Sequence, residues 1–152
     1  MNQPTTTYTA RALNTQDLYE FQYDLNGHLK SFKILEGQLT GQQMKWLFSN
    51  SNFPANESIM KTIWLKNLKK HFDIQVGTPD LSFDKFWQLY SHKVKKQASI
   101  KAWDRLSKKD KIEAIKSIES YDKYLARKHI AKAHAATYLN QRYFEDNFNS
   151  IH

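Results

Sequence analysis

The side chains here that could do chemistry are histidines, carboxylates and a large set of lysines, and their spacing narrows what each can do. His28, His71, His92, His129, His134 and His152 are scattered, and none forms the i, i+4 pair with an intervening glutamate by which a helix holds zinc. His129 and His134 fall five residues apart across an expected helix break. Asp73, Asp80 and Asp84 have oxygens suited to magnesium, but turn and capping roles account for Asp80 and Asp84 equally well. The four glycines are isolated and cannot build a phosphate-cradling loop. The absence of cysteine removes thiolate nucleophiles, cysteine metal sites and disulfides together. The pattern predicts no catalytic residue, no metal and no cofactor, hence a protein that is not an enzyme.

The cations are distributed unevenly. Residues 1–78 hold 8 Lys/Arg against 6 Asp/Glu, and residues 79–152 hold 15 against 9. Between Lys85 and Lys132 there are 14 basic and 5 acidic residues, a field that attracts phosphates or anionic head groups. In the same stretch the lysines alternate with Phe83, Phe86, Trp87, Tyr90 and Trp103. Single-stranded nucleic acid needs such a mixture, cations for its backbone and aromatic faces for its bases. The segment Tyr90-Ser-His-Lys-Val-Lys-Lys-Gln gathers Lys93, Lys95 and Lys96 at a helix start, where free amides also favour anions, and Lys101 extends the set. Trp87 and Trp103 sit at helical spacing, which favours a core role over a stacking platform. A solvated lysine face without a ligand is the competing reading.

The elements that would position these residues follow from periodicity. Residues 1–9, with three consecutive threonines, read as a loose arm. Residues 10–77 read as a small α+β unit. Leu18–Asp24 and Leu29–Leu35 alternate at period two around Asn26-Gly27, which predicts a β-hairpin with positive φ available at both turn residues. Thr40 caps a helix through Phe48, and Asn56 caps another to about Lys70. Phe72–Val76 supplies a third short strand to pair with the hairpin. Gly77-Thr78-Pro79-Asp80 breaks the chain. Residues 81–148 then read as a basic four-helix bundle, starting at Ser82, Lys95, Ser107 and about Ala133. The fold class expected is α+β, a hairpin with two helices followed by that bundle. No run approaches the ~18 apolar residues of a membrane span, no leader pattern is present, and the aliphatic stripes are consumed by the bundle. No membrane role is expected, and the expected location is cytoplasmic.

Four blocks in the second half carry a resemblance: Phe83-Asp-Lys-Phe-Trp-Gln-Leu-Tyr, Lys93-Val-Lys-Lys, Ala102-Trp-Asp-Arg-Leu-Ser, and Ala136-Thr-Tyr-Leu-Asn-Gln-Arg-Tyr-Phe-Glu-Asp146. In that order they resemble the C-terminal helical domain of phage and prophage replication-initiation proteins, over about 65 of the 152 residues. The resemblance implies a replisome-organiser or helicase-loading context, in which the domain binds DNA, single strands above all, or a replication partner such as the replicative helicase. It places Asn140, Gln141 and Arg142 in the closing motif and Lys93, Lys95 and Lys96 in the basic turn. Arg142 has the fork to hold a phosphate, while a tie between the last helix and its neighbours is the alternative. Residues 10–76 do not match the winged-helix origin-binding domain that often precedes this module, so no origin recognition is carried onto them. If the chain is phage-encoded, its compartment is a bacterial host cell.

Two functions are therefore expected to compete. The first is a phage-type replication accessory protein that binds DNA, single-stranded favoured, through Lys93, Lys95, Lys96, Lys101, Asn140, Gln141 and Arg142. The second is a protein-interaction module, an adaptor, an inhibitor of a host protein or a structural phage protein. Its contact surface would be the aromatic side chains Tyr19, Tyr23, Trp46 and Trp64.

Overall fold

Thr6–Ala12 sets Tyr8 and Ala10 on one face and threonines on the other, the alternation of a half-buried strand. In the computed structural model, which describes residues 3–149, this segment is β1 (Thr6–Ala12) at the interior of an antiparallel sheet. With β2 (Leu18–Tyr23), β3 (Leu29–Glu36) and β4 (Phe72–Gly77) it gives the order β3-β2-β1-β4. The arm expected over residues 1–9 is thus corrected for its second half. Threonine and tyrosine suit a pleated surface, and both edges of β1 are paired, Tyr8 with Phe21 on β2 and with Val76 on β4. The third strand expected beside the hairpin pairs with β1 instead, because β1 already occupies the free edge of β2. At the hairpin turn only Gly27 has positive φ, +84°. Asp24 does the rest, its Oδ1 accepting the N–H groups of Asn26 and His28, both at 2.9 Å.

Helices cover the aromatic face of this sheet. Thr40 caps α1 (Gly41–Leu47) through a reciprocal bond with Gln43. Asn56 caps α2 (Glu57–Ile59), which continues through a π-helical stretch, Met60–Trp64, into α3 (Leu65–Asn67). The core contains Tyr8, Phe21, Tyr23, Leu47, Met60, Trp64 and Phe72. Trp64 lies 4.7 Å from Phe72 and 5.3 Å from Phe21 between ring centroids.

The chain divides into two compact units, one of residues 5–79 and the other of residues 80–149 together with Gln3 and Pro4. The second is helical: α4 (Phe83–Tyr90), α5 (Lys96–Asp104), α6 (Lys108–Lys116), α7 (Ile118–Lys128) and α8 (Ala135–Asn140), with a 3-10 turn at Tyr143–Glu145. The molecule is α+β, with five helices rather than four in this unit. The long third helix expected from Ser107 divides at Ser117, whose hydroxyl donates to the carbonyl of Phe144 at 3.1 Å. The last helix is shorter than its pattern suggests because Arg142 turns left-handed, φ 54°. Phe86, Trp103, Ile115, Tyr138 and Leu139 are buried at its centre. Phe86 stacks on Trp103 at 4.8 Å.

Candidate nucleic-acid interface

The basic turn lies between two left-handed residues, Ser91 (φ 59°) and Lys95 (φ 56°). Ser91 ends α4 and Lys95 begins α5, which has no side-chain cap. The first amides of α5 are therefore left to solvent or a ligand. Lys93, Lys95, Lys96 and Lys101 are all exposed. The structure brings the first three together at one helix start and sets Lys101 one turn further along α5.

Several cations of the helical unit are engaged by acids: Lys116 with Glu113 at 3.5 Å, Lys123 with Glu119 at 3.1 Å and Lys132 with Asp122 at 2.6 Å. Exposed Lys128 is not, among the described residues. Lys111 lies over the Trp103 ring, 5.6 Å from its centroid. Among the described residues no carboxylate lies within 4.0 Å of Lys93, Lys95, Lys96, Lys101, Arg105, Lys108 or Lys109. All seven of these are exposed. Uncompensated positive charge is concentrated on α5 and its flanks, over residues 93–109. Arg105, Lys108 and Lys109 were missed by sequence reasoning. Their signal lay in the composition of residues 93–109, which hold seven cations and one acid.

Arg142 is not free. Its guanidinium makes a bidentate pair with Asp110, at 3.2 and 3.0 Å, and also bonds Glu145. It lies 5.0 Å from the centroid of the Phe144 ring. The Arg142 hydrogen bond, the largest influence on Asp110, holds that carboxyl below its usual range, and the same pairing raises Arg142. The fork expected to grip a phosphate instead ties the end of the chain to the start of α6. Asn140 and Gln141 are exposed at the end of α8.

The aromatic side chains are mostly inside, Trp87 and Trp103 as their helical spacing favours and three of the expected partner residues against expectation. Trp87 is 8% and Trp103 2% exposed, so both are core residues and offer no face to a base. Of the four aromatic residues expected at a partner surface, Tyr19, Tyr23 and Trp64 are buried at 4%, 0% and 0% exposure. Their polar atoms are satisfied inside: Tyr23 Oη donates to the carbonyl of Pro54 at 2.6 Å and Trp64 Nε1 to that of Asn52 at 2.8 Å. Trp46 alone is exposed, at 40%, and shares α1 with Met44 at 50%; Phe48 follows at 59%. Beside Trp46 lies an open pocket of about 260 Å3 lined by Tyr19, Leu39, Gln42, Leu47, His71 and Phe72 among others. No group of three or more His, Asp or Glu able to hold a metal occurs among the described residues. No described helix is long and apolar enough to cross a membrane.

Residues 78–142 match a family model described as the Legionella vir region protein LvrA C-terminal domain. The match covers α4 to α8 and the whole cationic stretch, and it is to a family other than the replication-initiation one that the four blocks resemble. No curated protein matches the chain, and no solved structure does.

Proposed function

We propose that this chain is a non-enzymatic DNA-binding accessory protein whose helical unit holds the phosphate backbone through α5 and its flanks. The observation that carries this reading is the run of seven exposed cations over residues 93–109, none with a carboxylate within 4.0 Å among the described residues. A solvated helix face gains from i, i+4 pairs between opposite charges. A cluster of unpaired cations destabilises the free protein by self-repulsion and gains stability when phosphates displace counterions. The replication setting, with a helicase or another replisome protein as partner, rests on the resemblance of the four sequence blocks alone. Preference for single strands rests on that resemblance as well, and Trp87 and Trp103, both in the core, add no stacking face to it.

The test is a fluorescence-anisotropy titration against salt. Replacing Lys93, Lys95 and Lys96 together by Glu should weaken DNA binding at least about ten-fold at low salt. It should also flatten the plot of log affinity against log salt by about three phosphate contacts, each contributing close to one unit of slope. Unchanged affinity and slope would overturn the proposal.

A second reading is supported by one observation, the exposed Met44, Trp46 and Phe48 of the first unit. Apolar surface of that kind marks a protein contact, which makes the first unit the docking half of an adaptor. A stoichiometric protein partner retained after nuclease treatment, and lost on Phe48→Ser, would favour it.

A further inference from the structure

The outer face of α5 carries more than phosphate-binding cations. At 3.6 residues per turn, Gln97, Lys101, Asp104 and Arg105 fall within an arc of about 100°, opposite the buried Ser99, Ala102 and Trp103. All four are exposed. One of them is a poor choice for a surface that only meets phosphates. Gln97 has an amide that suits a phosphate or a base edge, but Asp104 is an acid that forms no ion pair among the described residues, although Lys101 lies one turn before it. A carboxylate facing a phosphate is repelled. A carboxylate facing a cytosine amino group accepts a hydrogen bond, a glutamine amide pairs with adenine, and arginine with guanine.

The cations are arranged to match. Lys93, Lys95 and Lys96 stand at the start of α5, and Lys108 and Lys109 just beyond its end. The nine residues of α5 span about 13 Å, close to the ~12 Å width of the B-DNA major groove. A helix that enters the groove with base-directed groups on its outer arc would carry cations at both ends, where the two phosphate ridges pass. The aromatic stacking that single strands require is absent from this face.

We propose that the ligand is duplex DNA and that α5 enters its major groove, with Gln97, Lys101, Asp104 and Arg105 against base edges and the flanking lysines on phosphates. This rests on the DNA-binding reading above and goes beyond it, because backbone binding alone makes no use of Asp104.

The experiment uses the full chain and three probes of one mixed sequence: a duplex, the same duplex with every cytosine as glucosylated 5-hydroxymethylcytosine, and its single strand. Glucosylation fills the major groove and leaves the backbone unchanged. The expected result is binding to the plain duplex at least about ten-fold tighter than to the glucosylated one, the size of one good base contact, and tighter than to the single strand. Equal affinity for the two duplexes, or preference for the single strand, overturns the inference and leaves backbone binding standing. Binding to none of the three overturns both readings. The double variant Gln97→Ala, Asp104→Ala removes no cation and touches no buried residue. Selection from a pool of random duplexes should enrich a motif with the parent protein and none with this variant. Enrichment of the same motif by both would overturn the assignment of these two side chains.

Discussion

Lys95 holds a left-handed backbone conformation, φ 56° and ψ 55°, at the start of α5, where glycine or asparagine would sit at lower cost. Among the described residues its side chain forms no ion pair that would offset the strain. Replacing Lys95 by Gly should therefore stabilise the helical unit by about 1 kcal/mol in urea denaturation while weakening DNA binding; a gain in both would remove the functional account of the strain. Arg142 makes the opposite prediction. Its partner Asp110 has a carboxyl held low by the Arg142 hydrogen bond. The pair's contribution is then complete above the usual carboxylate value of about 4 and is lost as pH falls through the lowered one. Arg142→Ala should melt below the parent protein at pH 7, with the two melting points converging in strong acid. The salt slope of DNA binding should stay unchanged, since this guanidinium is already occupied.

At the scale of elements, β1 shows how a polar segment becomes a structural one. Thr6–Ala12 is bonded on both sides, to β2 and to β4, and it contributes Tyr8 and Ala10 to the core. Ala10 is fully buried opposite Tyr19 and Ile74, a small side chain between larger neighbours. Deleting residues 1–9 should leave β2 and β4 with an unpaired edge each and remove the Tyr8 ring. The amides of Leu18–Tyr23 and Phe72–Gly77 should then lose protection in hydrogen exchange. Retained protection would mean that the sheet is held by its helices alone. The hairpin, both helix caps of the first unit and the Ser82 and Ser107 caps were legible in the sequence because each is written in neighbouring residues. The break at Ser117 was not, since it depends on a carbonyl 27 residues away.

For the whole molecule, the division at Pro79–Asp80 separates the cationic surface from the exposed aromatic patch. Each unit has its own buried centre, one around Trp64 and Phe21, the other around Phe86 and Trp103. The fragment covering residues 80–152 should fold with a cooperative transition and retain the salt-dependent DNA affinity of the full chain. A fragment covering residues 1–79 should show neither that affinity nor its salt slope. If DNA binding appeared only in the intact chain, the surface on α5 would be insufficient and both halves would be required.

The sequence by itself determined the α+β class, the hairpin, most helix starts and the location of the positive charge, because alternation, helical period, caps and composition are local properties. It also marked Lys93, Lys95 and Lys96 as neighbours. Tertiary structure decided which of the candidate residues are free to act. Arg142 and Lys132 are engaged by acids distant in sequence, whereas Arg105, Lys108 and Lys109 are not. Tyr19, Tyr23, Trp64, Trp87 and Trp103 are buried by elements that pack over them. Availability of a side chain is a property of its surroundings, and those are set by contacts across the fold.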